Sequence, residues 1–220
     1  MILIFNATSV TGIKYLDSIT IPMKEYSILI LFNLIGLLFL ALTNDLISFF
    51  EIVELQSYSF YLITAFNNES YYSSRAGLTY FLIGGLASII ILFGCASLYS
   101  ATGLTSFDGL FSLLYHDNFS PNLNVGFSSM ILGLIIKIGT APMHNWLINI
   151  YSIVPTYVTA WVSLMGKISI LTLIFNLKLK LGVESVVTDI VALTSALSML
   201  IGSIGGLFHF KFNKILPLVA

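Results

Sequence analysis

Charge is what this chain has least of. Of its 220 residues, 9% are Asp, Glu, Lys or Arg, and 57% are hydrophobic. A soluble domain carries about 25% charged residues. So few charges leave a water-facing surface uncovered, and lipid must cover it instead. A basic excess is missing too. Nine Lys and Arg stand against ten Asp and Glu, for a net charge of -1. No basic stripe is present to neutralise phosphates, which argues against a nucleic-acid partner. The single cysteine, Cys95, excludes an intramolecular disulfide and any multi-cysteine metal site. Its setting, Leu92-Phe-Gly-Cys-Ala96, reads as that of a buried, inert thiol. The three histidines are scattered along the chain, so no metal centre is expected. No phosphate-cradling glycine loop and no nucleophile elbow occurs. The chain is therefore expected to bind no cofactor and to carry no redox centre of its own. The stretch from Met1 to Ile21 fits neither a secretory signal nor an Arg-rich transit peptide, so insertion is expected to rely on the first spanning helix.

What is present is apolar length. Six segments reach or nearly reach the roughly 20 residues that span a bilayer: about 26–43, 46–66, 76–99, 125–146, 156–177 and 186–208. Barrel-like alternation is absent, so each must be a helix, with its backbone bonded within itself. The expected fold is all-α: a polytopic membrane protein of about six transmembrane helices, one of them broken at Pro142. Residues 1–25 read as an extramembrane or interfacial segment and 26–220 as one membrane domain. Thr43-Asn-Asp45 predicts a tight first connection. The second is placed at Asn67–Ser70 with Arg75, and the longest loop at Ser100–Asn124, which holds Asp108, His116, Asp117 and Pro121. Lys178, Lys180 and Glu184 mark the fifth. Counted on alternate sides, Lys14, Lys24, Arg75, Lys211 and Lys214 fall together, opposite Lys178 and Lys180. The positive-inside rule then places both termini on the matrix or cytoplasmic side.

Against this apolar background three charges stand out. Lys137 lies in Gly133-Leu-Ile-Ile-Lys-Ile-Gly-Thr-Ala-Pro142. Lys167 lies in Val162-Ser-Leu-Met-Gly-Lys-Ile-Ser-Ile170. Glu54 lies in Phe50-Glu-Ile-Val-Glu-Leu-Gln56. A charge at mid-membrane costs about 3 kcal/mol on insertion scales, so the three together point to proton or ion handling. Burial disfavours the charged form of a lysine, and a nearby carboxylate restores it. An acid and a lysine, followed by a second lysine, thus supply a switch and a relay. Water between them is required, and Gln56, Ser57, Thr140, Thr159 and Ser163 are candidates to hold it. The bland alternatives are a static buried ion pair or lysines snorkelling to an interface. Snorkelling suits Lys178 and Lys180 better than Lys137. Glu51 lies three residues before Glu54 on the same helical face: a second relay acid or a port to water, or a satisfied structural carboxylate. His144 follows the break and is either a proton shuttle or a cap on backbone carbonyls. His209 reads as interfacial. Pro142 removes a backbone donor within a helix. Beside a buried lysine this reads as a functional break, the alternative being a plain kink or helix end.

These residues carry a resemblance. Asp45-Leu-Ile-Ser-Phe-Phe-Glu-Ile-Val-Glu-Leu-Gln-Ser57 with Phe60-Tyr61 resembles the acidic helix of the subunit 2 family of the proton-pumping NADH:ubiquinone oxidoreductase, complex I. Arg75-Ala-Gly-Leu-Thr-Tyr-Phe-Leu-Ile-Gly-Gly85, leading into Leu92–Gly103, resembles the next helix. Lys137-Ile-Gly-Thr-Ala-Pro-Met-His-Asn-Trp146 resembles the broken helix. Pro155-Thr-Tyr-Val-Thr-Ala-Trp161 with Gly166-Lys-Ile-Ser169 resembles the helix after it, and Lys211–Leu216 a basic turn beyond. The likeness runs from about residue 27 to 220, and the wider family includes cation/proton antiporter subunits. The chain departs from the family pattern at Thr79, Ile148-Asn149 and Tyr157, and Glu51 is an addition.

The resemblance implies an antiporter-like membrane-arm subunit of the mitochondrial inner membrane. Glu54, Lys137 and Lys167 would form its relay, with Glu51 and His144 as possible further members. NADH, FMN, iron–sulfur clusters and ubiquinone would sit in other subunits. Its partners would be other membrane-arm subunits, lipids and a separate polypeptide supplying the C-terminal helices that the family fold adds. A cation/proton antiporter component, or a structural subunit that does not pump, are the alternatives.

Overall fold

The computed structural model describes residues 23–66, 71–116, 121–181 and 186–208. Lys14, His209, Lys211, Lys214, Asp117 and Glu184 lie outside the described residues. The elements, in order, are α1 (Met23–Leu42), α2 (Leu46–Ala65), α3 (Tyr71–Thr102), α4 (Phe107–His116), α5 (Pro121–Ile138), α6 (Asn145–Ile153), α7 (Thr156–Leu181) and α8 (Val186–Phe208). No strand forms among the described residues. Five helices, α1, α2, α3, α7 and α8, are long and apolar enough to cross a membrane. The fourth expected span is divided: α5 is a shorter apolar helix, and α6 continues after an interruption.

Two expectations about connections change. The segment placed in the longest loop contains α4, a ten-residue amphipathic helix. Its apolar side carries Phe107, Leu110 and Phe111 into the core beside Phe127, and a helix of that length fills no span, so apolar content alone did not mark it. Arg75, assigned to the second connection, sits inside α3, which runs 32 residues. At 1.5 Å per residue that is about 48 Å, longer than a ~30 Å hydrocarbon layer.

The Thr43–Asp45 turn is as tight as expected, and it is clipped from the side. Leu46 N donates to the Thr105 carbonyl at 2.9 Å, and Phe107 N to the Asn44 carbonyl at 2.7 Å. The Asn44 amide donates to Asp108 Oδ2 at 2.7 Å. The two backbone bonds satisfy the opening N–H groups of α2 and α4, which belong to the four donors that lack an intrahelical partner at a helix N-terminus.

Packing divides into two apolar clusters. One joins α2, α3, α4, α5 and α7 through Phe49, Ile91, Met130, Leu134 and Leu173, with the buried Cys95 among them. The other joins α2, α3, α6 and α7 through Phe60, Tyr80, Leu147, Tyr151 and Val162. Outside them the helices are greasy and exposed: Leu42 is 79% exposed, Ile89 69% and Leu193 65%. In a monomer meeting water this would be untenable; within a bilayer such a surface meets lipid or other membrane helices.

Close backbone approach sets the α3–α5 contact. A Cβ at Gly133 would stand 2.8 Å from the Ala87 carbonyl, and one at Gly94 would stand 2.6 Å from Met130 N. Small residues permit such approach where lipid supplies no hydrophobic drive between helices. The consequence for the site is direct. Ala87 precedes Ser88, and Gly133 stands one turn before Lys137.

Candidate functional site

Lys137 is held by two helices at once. Its Nζ lies 2.7 Å from Glu54 Oε1 of α2 and donates to Ser88 Oγ of α3 at 3.1 Å. Ser88 Oγ also bonds Glu54 Oε1 and lies 2.9 Å from the Gly84 carbonyl. The side chains are 5% exposed for Lys137 and 16% for Glu54. The pair therefore sits where screening by water is weak, and each charge supplies the other's counter-charge.

Local sequence explains why Lys137 points there. The helix α5 ends at Ile138, and Gly139 takes a left-handed φ of +76°. Its N–H returns to the Ile135 carbonyl at 3.0 Å, and Thr140 N reaches the same carbonyl at 3.3 Å. This is a glycine helix stop. Pro142 contributes as well: its ring would clash with the carbonyl four residues back, which is that of Ile138, the last helical residue. The break thus begins at Gly139, three residues before the proline expected to cause it, and the chain turns helical again at Asn145. Lys137 consequently lies in the last turn of α5, where the helix dipole favours a cation.

Lys167 lies in the interior of α7. It is half-buried and has no hydrogen bond or ion pair among the described residues. Lys137 and Lys167 nevertheless border one cavity of about 30 Å³, together with Gln56, Ser57, Tyr61, Tyr80 and Tyr151. That volume suits one water, given polar partners. Gln56 supplies one: its Nε2 is buried without a partner, while its Oε1 meets Ser169 Oγ at 2.8 Å.

Of the other residues singled out in the sequence, Ser57, Thr159 and Ser163 are buried, but each hydroxyl donates to a carbonyl of its own helix. Glu51 is exposed and has no bond to the pair. The three-residue spacing turns it about 60° away from Glu54 (at 3.6 residues per turn), enough to leave the site. His144 stays in the turn between α5 and α6, its Nδ1 3.3 Å from the Pro142 carbonyl. A carbonyl only accepts, so the ring donates there. That is the carbonyl-capping geometry, with no contact to either lysine.

Ser88 and Ser169 escaped the sequence reading. Both stand amid apolar residues four or three positions after a glycine, and serine bonded back to its own helix is the ordinary reading of such a position. What makes them different is a partner on another helix, which spacing within one helix does not reveal.

Residues 43–218 match the family described as NADH:quinone oxidoreductase/Mrp antiporter, transmembrane. The chain belongs to that family. It is 37% identical over 214 residues to NADH-ubiquinone oxidoreductase chain 2 of Rhizopus oryzae, covering 96% of this chain and 41% of that one. It is 42% identical over 154 residues to the protein of the same name from Candida albicans, covering 70% of this chain and 32% of that one. Among solved structures it resembles a chain of respiratory complex I from Thermus thermophilus with bound aureothin, with a TM-score of 0.74 and 25% identity over 88% of this chain and 42% of the other. The chain thus spans less than half the length of these relatives. It is a multi-pass membrane protein of the antiporter-like type.

Proposed function

We propose that this chain is a membrane-arm subunit of respiratory complex I, of the chain 2 type, that contributes to proton translocation coupled to NADH oxidation by ubiquinone. The observation that carries the reading is the buried Glu54–Lys137 pair at 2.7 Å, with an unpaired second lysine across a shared water-sized cavity. Glu54 supplies the counter-charge to Lys137. When that contact loosens, the proton moves on, and Lys167, on the same cavity, is the next base along it. No protein bond forms or breaks other than N–H and O–H. NADH, FMN, iron–sulfur clusters and ubiquinone belong, on this reading, to other subunits, and the membrane is the mitochondrial inner membrane, as the fungal relatives suggest. We place both termini on the matrix side: the described residues hold five long helices and one divided, and the positive-inside count over the sequence supports that side. The relatives are more than twice as long as this chain; the partners, on our reading, are other membrane-arm subunits, with a separate polypeptide supplying further antiporter-like helices.

Purification in mild detergent with mass spectrometry of co-migrating chains tests this. Complex I subunits and a membrane protein carrying further antiporter-like helices are expected. Recovery with antiporter components and no redox subunits would overturn the reading. The family description names Mrp antiporters beside the oxidoreductase, so a cation/proton antiporter component is the second reading. Sodium-dependent proton exchange by the isolated assembly, without NADH, would favour it.

A further inference from the structure

We propose that Gln56 is a positioning residue whose side-chain amide reverses its polarity toward the two lysines, with Ser169 as its partner in the reversal. The inference rests on the relay reading above and adds two residues to it.

Gln56 is 3% exposed and Ser169 2%. Ser169 Oγ lies 2.8 Å from Gln56 Oε1 and 2.9 Å from the Gly166 carbonyl. A hydroxyl has one hydrogen, so it serves one of these acceptors at a time. In the first arrangement that hydrogen goes to Gln56 Oε1, and the amide leaves its NH₂ group unpartnered beside the cavity, as a donor. In the second arrangement the amide is turned over. Its NH₂ donates to Ser169 Oγ, the hydroxyl hydrogen goes to the Gly166 carbonyl, and the amide oxygen is left facing the cavity as an acceptor. Oxygen and nitrogen of a carboxamide exchange places with almost no change of shape, so both arrangements fit the same packing. The stem of Gln56 stays fixed in both. A Cβ at Gly36 of α1 would stand 3.0 Å from Gln56 Cβ, so the α1 backbone passes close beside the stem and leaves it little room to shift.

The two arrangements match the two states of a lysine. An ammonium has three donors and no acceptor, and calls for an acceptor beside it. A neutral amine has a lone pair, and is matched by a donor directly or through one water. Transfer through the cavity takes a proton from the Lys137 ammonium to a water. That water's other proton goes to the Lys167 amine, so that one amine and one ammonium stand on each side of the balance. The amide turn and the rotation of the Ser169 hydrogen follow this transfer without exchanging protons themselves. Gln56 thus resets the hydrogen-bond polarity that the next proton meets.

The test uses the assembled membrane complex in sealed vesicles, with assembly read on native gels and NADH-driven proton uptake as the signal. Gln56→Met keeps the length and removes both hydrogen-bonding groups. Ser169→Ala removes the hydroxyl, and Ser169→Thr restores it. Proton uptake is expected to fall about tenfold in Gln56→Met and Ser169→Ala, the rate equivalent of one net hydrogen bond. The double variant should be no slower than Gln56→Met alone, because the two residues act as a unit. Ser169→Thr should keep uptake within about twofold of the parent, less than half of one hydrogen bond's worth. Uptake in assembled Gln56→Met equal to the parent, or equal effects of Ser169→Ala and Ser169→Thr, would overturn the proposal. Should Gln56→Met not assemble, the Ala–Thr pair at 169 decides alone. Lys167→Met separates the two levels: normal pumping there removes the relay reading itself, whereas lost pumping there with normal pumping in Gln56→Met removes this inference only.

Discussion

Glu54 and Lys137 stand 83 positions apart in the chain and 2.7 Å apart in space. Their contact ties the helix that follows the first tight turn to the end of the helix that breaks. Removing one member of a buried pair leaves the other uncompensated, at a cost of about 3–5 kcal/mol, while replacing both by apolar groups is often neutral or better. Glu54→Leu and Lys137→Met alone should therefore lower the thermal stability of the detergent-solubilised complex more than the two combined. Proton uptake should behave differently: absent in each single variant and absent in the double. A double variant that regains both stability and uptake would show the pair to be static.

Ser88 shares the Lys137 ammonium with Glu54. A hydrogen bond to a charged group contributes about 1.5–3 kcal/mol. Ser88→Ala should slow proton uptake by roughly tenfold or more on that scale and leave assembly intact, since Glu54 still neutralises Lys137. Ser88→Thr keeps the hydroxyl and should recover most of the rate. Equal behaviour of the two variants would argue that Ser88 matters only for helix packing.

Length and apolarity made the helices legible. A span of 20 apolar residues has few alternatives to a membrane helix, and α1, α2, α7 and α8 begin and end within a few residues of expectation. The charged residues were legible for the same reason, because a lysine among Ile, Leu and Gly is conspicuous. What stayed hidden was the part that uncharged residues take in contacts between helices. Ser88 reaches Lys137 only because Gly133 admits the Ala87 carbonyl, a contact between residues far apart in sequence. The helix α4 hid for a different reason. Ten residues with a one-sided apolar face resemble a loop when the scale of search is a membrane span. Glu51 shows the limit of spacing: three residues from Glu54 left a relay acid, a port to water and a structural carboxylate all open, and in the structure it is exposed with no bond to the pair.

That outward position makes Glu51 a control. Glu51→Gln removes an exposed charge with no bond to the site. Proton uptake and complex stability should stay near the parental values, within the ±0.5 kcal/mol usual for surface changes. A large loss of uptake would mean that Glu51 touches the path through a water or a partner helix.

The seam of α3 and α5 is the most tightly spaced contact near the site. Gly133→Ala forces a methyl against the Ala87 carbonyl and the Ile91 side chain. Backbone cannot yield as a flexible side chain does, so the helices must part. Overpacking of this kind typically costs about 1–3 kcal/mol, read as a lower unfolding temperature. Because Ser88 and Lys137 lie one step beyond, the same variant should also weaken uptake, and more strongly than Gly85→Ala, whose added methyl meets open space.

Gly139 links the break to the chemistry. Its φ of +76° costs a residue with a Cβ about 1–2 kcal/mol, and a methyl there would stand 3.3 Å from Leu147 Cβ. Gly139→Ala should therefore shift the stop of α5, and with it the direction in which Lys137 leaves the helix. Gly139→Asn tolerates the left-handed region better. Proton uptake should fall in the order parent, Asn, Ala, while NADH oxidation in uncoupled membranes falls less. If the Ala and Asn variants are equally impaired, contact with Leu147 matters more than backbone conformation. If neither is impaired, the left-handed stop does not position Lys137.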